Sequence, residues 1–424
     1  MRSAIMPDEQ EAKTSLRRIF DAAIDSAAPG PVTLANLPEK PAGRCIVIGA
    51  GKASAAMAAA IDDAWPDVRL SGIVSTRYGH AVPAGRVKVI EAGHPVPDSA
   101  SEEAARLVLD SVRGLTRDDL VIALISGGGS ATLALPVQAL DLAEKQRLTR
   151  ELLASGATIG EINTVRVHLS QIKGGKLAAA ALPARVVTLL ISDVPGDDPA
   201  SVASGPTIPG RSRPADALAV LDRYDIGVSP SVRRHLETTD SPPLDTRGEY
   251  SIIASAALAL EAAAGVAREL GFSTAVLSDR IEGESRHLGR DMAHTVRKLR
   301  ATGEPAAPPA VLLSGGETTV TIGDGGAGRG GRNMEFLLSL AIELAGDQRT
   351  WALAADSDGI DGTEDAAGAI ITPDTLQRAV AAGIDPQASL DRHDSYTLFE
   401  AVGDLVHTGP TLTNVNDIRV IIIC

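Results

Sequence analysis

Apolar positions along this chain fall into two alternating rhythms. Leu16, Phe20, Ala23 and Ile24 recur at helical spacing and predict an amphipathic helix over 16–27. Arg44 to Ile48 then reads as a short buried strand, Ala53 to Ala64 as a helix, and Leu70 to Ser75 as the next strand. Val87 to Ala92, Leu120 to Ile125 and Arg185 to Ile191 continue the series, with helical stretches such as Glu102 to Val112 between them. Strands alternating with helices predict an α/β fold, with a Rossmann-like, doubly wound and mostly parallel sheet in the N-terminal part. A second set of strands is predicted at Tyr250 to Ala254, Ser273 to Leu277, Ala310 to Leu313, Thr319 to Ile322, Thr350 to Ala355 and Arg419 to Ile423. Between the two sets, Pro209 to Tyr250 lacks a clear strand pattern and carries the breakers Arg211-Ser212-Arg213-Pro214 and Ser241-Pro242-Pro243. The domain boundary is therefore expected there, with an N-terminal α/β domain over 1–240 and a C-terminal α/β lobe over 241–424.

Four of the apolar runs stop abruptly in small or acidic residues: Gly49-Ala50-Gly51-Lys52, Ser126-Gly127-Gly128-Gly129-Ser130, Ser314-Gly315-Gly316-Glu317 and Asp356-Ser357-Asp358. A buried parallel strand ends this way where bare backbone amides must face a charged ligand, because side chains would block the approach. The device in both halves points to an enzyme that handles phosphate. Segments 119–129 and 309–317 look alike, but one short match is recurring strand-loop chemistry, not a duplication.

Composition narrows the classes. At 424 residues the chain exceeds one ordinary core, so two domains or an elaborated one is expected. Only 2% of residues are aromatic and the formal charge is −14, which argues against nucleic acid and anionic membrane surfaces as partners. Cys45 and Cys424 provide no disulfide framework, and a reducing compartment is favoured. Asp8, Glu9 and Glu11 stand where a secretory segment would need apolar residues, and no uncharged run is long enough to span a bilayer. The expectation is a cytoplasmic protein whose oligomeric state stays open, a homodimer included.

The first glycine turn comes close to a dinucleotide fingerprint, but Ser54 replaces the expected Gly or Ala and the next strand ends at Ser75-Thr76-Arg77, with no acid for the ribose. Lys52 puts a cation where a pyrophosphate would approach bare glycines, and the turn also fails the P-loop pattern. Two readings remain for Lys52: a surface lysine on a structural turn, or a lysine aimed at a substrate or transferring phosphoryl group. Ser126 to Ser130 would cluster amides and two hydroxyls at a helix start. Arg166, Ser170 and Lys173 fall on neighbouring turns before Gly174-Gly175-Lys176, either as a basic ligand-binding face or as a solvated helix end. His168 reads as a satisfied helix histidine. Ile191-Ser192-Asp193 ends a strand ahead of Asp197 and Asp198; Asp193 is the best placed of the three to hold Mg²⁺ or orient a hydroxyl. Arg332, within Gly328-Arg329-Gly330-Gly331-Arg332-Asn333 before the apolar helix Phe336 to Leu344, could clamp a phosphate through its planar fork. Asp356 to Glu364 lacks the full calcium-loop pattern and follows a strand, so that reading is rejected.

Taken together, Val47-Ile48-Gly49-Ala50-Gly51-Lys52-Ala53, Gly93 to Asp98, Ser126 to Ala131, Asn163 to Lys176, Ser192 to Asp197, Ser204 to Thr207, Ser314 to Thr319, Gly328 to Asn333 and Asp356 to Gly362 resemble, in the same order, the motifs of the type II glycerate kinases. The resemblance implies an N-terminal glycerate-kinase domain and a C-terminal MOFRL domain, at about 307–420. It also implies ATP- and Mg²⁺-dependent phosphorylation of D-glycerate, typically at the 2-hydroxyl, in a cleft between the lobes. Lys52 and Arg332 match the family's principal catalytic basic residues. Gly49, Gly51, Ser126, Gly127, Gly128, Gly129, Ser130, Arg166, Lys173, Gly315, Gly316, Glu317 and Asp356 fall in its nucleotide- and substrate-holding motifs, and Asp193 is expected at nucleotide-borne Mg²⁺. Some relatives carry the label hydroxypyruvate reductase. NADPH-linked reduction is the alternative that Gly49, Gly51 and Arg77 support, and a non-catalytic glycerate or nucleotide sensor is a third.

Overall fold

The computed structural model describes residues 8–239, 244, 246, 248–322, 326 and 328–424, so the breakers Ser241-Pro242-Pro243 lie outside the described residues. Two compact units emerge, Pro29–Ile253 and a second one that joins the residues up to Ala28 to Ala254–Cys424. Among the described residues, no helix is long and apolar enough to cross a membrane.

The unit 29–253 is organised by a six-stranded sheet. Its strands are β1 (Cys45–Ala50), β2 (Leu70–Arg77), β3 (Val87–Ala92), β4 (Leu120–Ser126), β5 (Arg185–Ile191) and β6 (Glu249–Ala254), in the order β3-β2-β1-β4-β5-β6. Pairings β1–β2, β2–β3, β1–β4 and β4–β5 are all parallel. Central strands buried on both faces must be apolar throughout, and β1 and β4 are buried at every position. Chain order reverses between β1 and β4, so their carboxyl ends diverge into opposite crossovers and leave a crevice. The Gly49–Lys52 and Ser126–Ser130 turns stand there.

A second apolar cluster in this unit joins helices Leu142–Ala154, Ile159–His168, Pro214–Arg223 and Pro230–Thr238 through Leu148, Leu152, Ile162, Val165, Leu221, Val232 and Leu236. Within the stretch expected to be a breaker-rich boundary, Pro214–Arg223 and Pro230–Thr238 therefore fold as amphipathic helices. Their prolines sit in the first helical turn, where a missing N–H costs nothing. Correspondingly, β6, expected among the C-terminal strands, belongs to the first sheet, and the compact units divide at Ile253 and Ala254 instead of at 240.

The other unit carries a sheet of mixed direction. Strands β7 (Ser273–Ser278), β9 (Ala310–Gly316), β11 (Thr350–Asp356), β12 (Gly368–Ile371), β13 (Leu405–Val406) and β14 (Asp417–Ile423) run in the order β13-β12-β11-β14-β9-β7, and only β7–β9 is parallel. Two short strands, β8 (Gly283–Glu284) and β10 (Thr318–Thr319), pair separately, and β10 is all that forms of the strand expected over 319–322. Helix Glu9–Ser26, opened by a capping box between Asp8 and Glu11, buries Leu16, Ile19 and Phe20 and packs on helix Ala256–Glu269 and β14. Burial of such side chains contributes roughly 1.5–3 kcal/mol each, enough to hold this N-terminal helix to the C-terminal sheet.

Candidate active site

At the switch point of the first sheet, Gly51 leaves β1 with φ +116° and its amide donates to Ser75 O at 3.0 Å. Only glycine fits, because a Cβ would lie 2.3 Å from Ser126 O. Lys52 N donates to Gly127 O at 2.9 Å and Ala53 N to Ser126 Oγ at 3.0 Å, so the two turns are bonded into one frame. Gly128, at φ +81°, opens the single turn Gly129–Thr132, with the His94 ring and the Lys52 stem packed beside it. A Cβ at Gly127 would come within 2.1 Å of Asp193 Oδ2, which places that carboxylate directly against the glycine loop. Lys52, the Ser126–Ser130 turn and Asp193, nominated from three separate motifs, are thus brought together.

Behind this loop lies a polar network. Ser130 Oγ is 2.7 Å from Ser204 Oγ, Ser204 donates to Asn163 Oδ1 at 2.9 Å, and Arg166 Nη1 donates to the same oxygen at 3.3 Å. Lys173 Nζ donates to Ala203 O at 3.1 Å. Ala203 and Ser204 both adopt positive φ, a strained turn held in place by these contacts. Asn163 Nδ2 donates to Ser201 O, and both residues also line a cavity of about 850 Å³ bounded by Thr188, Thr207, Arg211 and Tyr250. Burial pushes the Lys145 ammonium down to about 7 and Arg166 down to about 10, and holds Lys173 well below the ordinary lysine range. His94 is pushed down to about 4, by burial of its ring first and then by Lys52, Arg77 and Arg166, although the residue as a whole reaches solvent. It is neutral at pH 7. His168, also pushed down to about 4 by burial, bonds Ser212 and joins none of these contacts, as expected for a satisfied helix histidine.

In the other unit, Arg332 begins helix Arg332–Leu344. The expected phosphate clamp is revised by what its fork holds: Nε donates to Asp417 at 2.9 Å, Nη1 to Glu317 at 2.7 Å and Nη2 to Asp356 at 2.8 Å. Burial alone would lower the guanidinium pKa, but Asp417, Asp356 and Glu317 together hold it above its ordinary value. Asp356 is pushed well above the carboxylate range by burial and then by Asp358 and Asp417. Asp361 accepts from the amides of Asn333 and Met334 at 3.1 and 2.9 Å, capping the helix from a distant loop, and burial raises it to about 6. Gly315 and Gly316, expected as an open amide loop, are instead strand residues of β9 paired with Ile418 and Asp417, and a Cβ at Gly316 would strike Ile281 at 2.2 Å. Close backbone packing explains those two glycines.

Sequence reasoning left Lys145, His94, Asn163, Ser204 and Asp417 out of the candidate set. Asn163, Ser204 and His94 stood in quoted motifs. Lys145, between Glu144 and Gln146, carries no local signal of burial, and Asp417 opens a strand with no turn motif ahead of it.

Residues 15–237 match the model described as a domain of unknown function, DUF4147, and residues 310–417 match the MOFRL family. Over 414 residues the chain is 39% identical to the D-glycerate 2-kinase of Thermotoga maritima, covering 97% of this chain and 99% of that one. It belongs to the type II glycerate kinase family. A solved structure of the Thermotoga maritima glycerate kinase superposes with a TM-score of 0.89 at 39% identity, covering 98% of this chain and 100% of the other. Another family member, from Agrobacterium vitis, is 58% identical over 418 residues, 98% of this chain and 95% of that one, and bears the name "Putative hydroxypyruvate reductase". The chain is thus an enzyme of the glycerate kinase family, and its switch point carries a lysine where dinucleotide-binding turns leave bare backbone.

Proposed function

We propose that this enzyme transfers the γ-phosphoryl group of ATP to D-glycerate, at the 2-hydroxyl, giving 2-phosphoglycerate and ADP. The observation that carries the reading is the meeting of Lys52, the Ser126–Ser130 amide turn and Asp193 at one switch point. Phosphoryl transfer asks the protein mainly to position two anions and to stabilise charge spreading over the transferred group. Lys52 supplies a cation on a stem fixed by Gly51, and the amides of Gly128 and Gly129 supply aligned donors that need no reorganisation. Serine and threonine hydroxyls around Asn163 orient the polar substrate.

Among the described residues, no group of three or more His, Cys, Asp or Glu is gathered as a metal cage. One carboxylate beside an amide loop fits Mg²⁺ carried in on the nucleotide, since that ion keeps phosphate and water ligands. Asp193 would hold it there, and the ion would neutralise phosphate charge. Arg332, which the family resemblance carries over as a second catalytic cation, is held within its own unit by Asp417, Glu317 and Asp356.

The name borne by the Agrobacterium vitis relative motivates a second reading, NADPH-linked reduction of hydroxypyruvate. Against it, Lys52 stands in the turn where dinucleotide-binding folds leave bare backbone, and β2 ends without a ribose-binding acid. Purified protein should convert D-glycerate and Mg-ATP to a phosphomonoester whose phosphorus NMR shift and proton coupling identify the 2-isomer. Rapid NADPH oxidation by hydroxypyruvate without any ATP-dependent product would replace this reading with the other.

A further inference from the structure

Three cations, Lys145, Arg166 and Lys173, lie buried in the unit 29–253 at 6%, 9% and 1% exposure. Proteins almost never bury such groups without a carboxylate or a ligand. None of the three is paired with a carboxylate among the described residues. Arg166 donates only to Asn163 Oδ1, Lys173 only to Ala203 O, and the Lys145 ammonium has no hydrogen-bond partner among those residues. All three come from different segments, helix Leu142–Ala154, helix Ile159–His168 and the turn before Lys176, so no single sequence accident gathers them. Lys145 also feels the positive charge of Arg166, and Lys173 that of both Lys145 and Arg166.

We infer that Lys145, Arg166 and Lys173 form an anion-receiving pocket behind the Ser126–Ser130 turn, built for an oxyanion that the reaction brings in. The ligand chemistry is a carboxylate or a phosphate. Two sources supply it, the carboxylate of glycerate and the polyphosphate of the nucleotide. Placement favours contact with the glycine turn, because Ser130 meets Ser204, Ser204 meets Asn163 and Asn163 meets Arg166 in one hydrogen-bonded chain. Arg332 is the opposite case, its fork already taken by three carboxylates. An ammonium already paired would have to be stripped before it could bind substrate, whereas one left unpaired binds at once and leaves the empty protein less stable. This inference deepens the kinase reading and rests on it for the identity of the anion, though not for the presence of the pocket.

Lys145→Met tests it, because methionine keeps length and removes charge. Calorimetric titrations of the full chain with D-glycerate and, separately, with inorganic tripolyphosphate should show affinity for at least one lowered by at least about 10-fold. Loss for glycerate alone assigns the carboxylate, loss for tripolyphosphate alone assigns the nucleotide, and either supports the pocket. Ligand-free Lys145→Met should melt above the parent protein, since an unpaired buried cation is gone. Unchanged affinity for both anions in the folded variant overturns the inference, as does a lowered melting point, which marks Lys145 as structural. If Lys145→Met fails to fold, Lys173→Met is read the same way. Anion affinity lost in a protein that makes no phosphoglycerate would sink the kinase reading and leave the pocket standing.

Discussion

Asp193 stands so close to Gly127 that a methyl group on the glycine would lie 2.1 Å from carboxylate Oδ2. The absent side chain is what lets a carboxylate and an amide turn share the same end of the sheet. Gly127→Ala should therefore push Asp193 out of position, at an overpacking cost of about 1–3 kcal/mol. Displacing a catalytic group by about 1 Å can cost on the order of 100-fold in rate. Steady-state assays with Mg-ATP and D-glycerate should show kcat reduced at least about 10-fold with a modest fall in melting temperature. Full activity in Gly127→Ala would mean that Asp193 has no work at the glycine loop.

The Lys52 amide donates to Gly127 O, a bond between the two turns that truncating the side chain leaves in place. Lys52→Ala should lower kcat about 100-fold or more, because a charge on the transferring group acts chiefly in the transition state. Thermal unfolding should stay within a degree or two of the parent. Equal turnover in the folded variant would return Lys52 to the role of a surface lysine.

If Asp193 receives Mg²⁺ with the nucleotide, as proposed, the ion belongs to the nucleotide complex and not to the fold. Chelation should abolish phosphoryl transfer while leaving the nucleotide-free melting curve unchanged. A melting curve that collapses on chelation in the absence of nucleotide would reveal a structural metal.

Much of this was legible in the chain because buried parallel strands must be apolar end to end. Cys45–Ala50 and Leu120–Ser126 stand out for that reason, and so do the glycines that follow them. What periodicity could not tell is which sheet a strand joins. Glu249–Ala254 reads like any strand of the second set, yet it completes the first sheet, a long-range choice made by packing. The same holds for charge. Lys145 sits between Glu144 and Gln146 and reads as a solvated helix face, whereas the fold closes over it. Arg332 was visible as a cation at a glycine-rich helix start. Its three carboxylates come from sequence-distant elements, and no local pattern announces them.

Arg332 holds Asp417 and Asp356, both buried, through separate nitrogens. Arg332→Lys keeps the charge but cannot present three donors at the angles of a planar fork. At least one buried carboxylate then loses its partner, and breaking a buried pair costs on the order of 3–5 kcal/mol. The expected result is a lowered urea midpoint at pH 7 together with impaired turnover. A variant as stable as the parent would show that Asn333 and Arg419, which also bond Asp417, carry the burial by themselves.

Lys145 gives the stability of the ligand-free enzyme a defined dependence on pH. Its folded pKa is lowered to about 7, by burial first and then by Arg166, whereas an unfolded lysine titrates near about 10.4. Between those values the unfolded chain binds more protons than the folded one, so this group makes stability rise with pH. Lys173, lowered in the same way, adds in the same direction. Cys45 opposes them, because its buried thiol is pushed up to about 12 and stabilises the folded state less as pH climbs past the ordinary thiol range near about 8.5. Comparing Lys145→Met with the parent cancels Cys45 and the other shared groups. The variant's advantage in unfolding free energy should be largest near pH 7 and shrink steadily as pH rises toward about 10.4, above which the parent's lysine becomes neutral in both states. Saturating the parent with the anion that Lys145 binds should pull the ammonium back toward its charged form and erase the slope. A difference that stays constant from pH 7 to 10, measured by urea unfolding, would show that Lys145 keeps its charge in the folded protein and that burial there is already compensated.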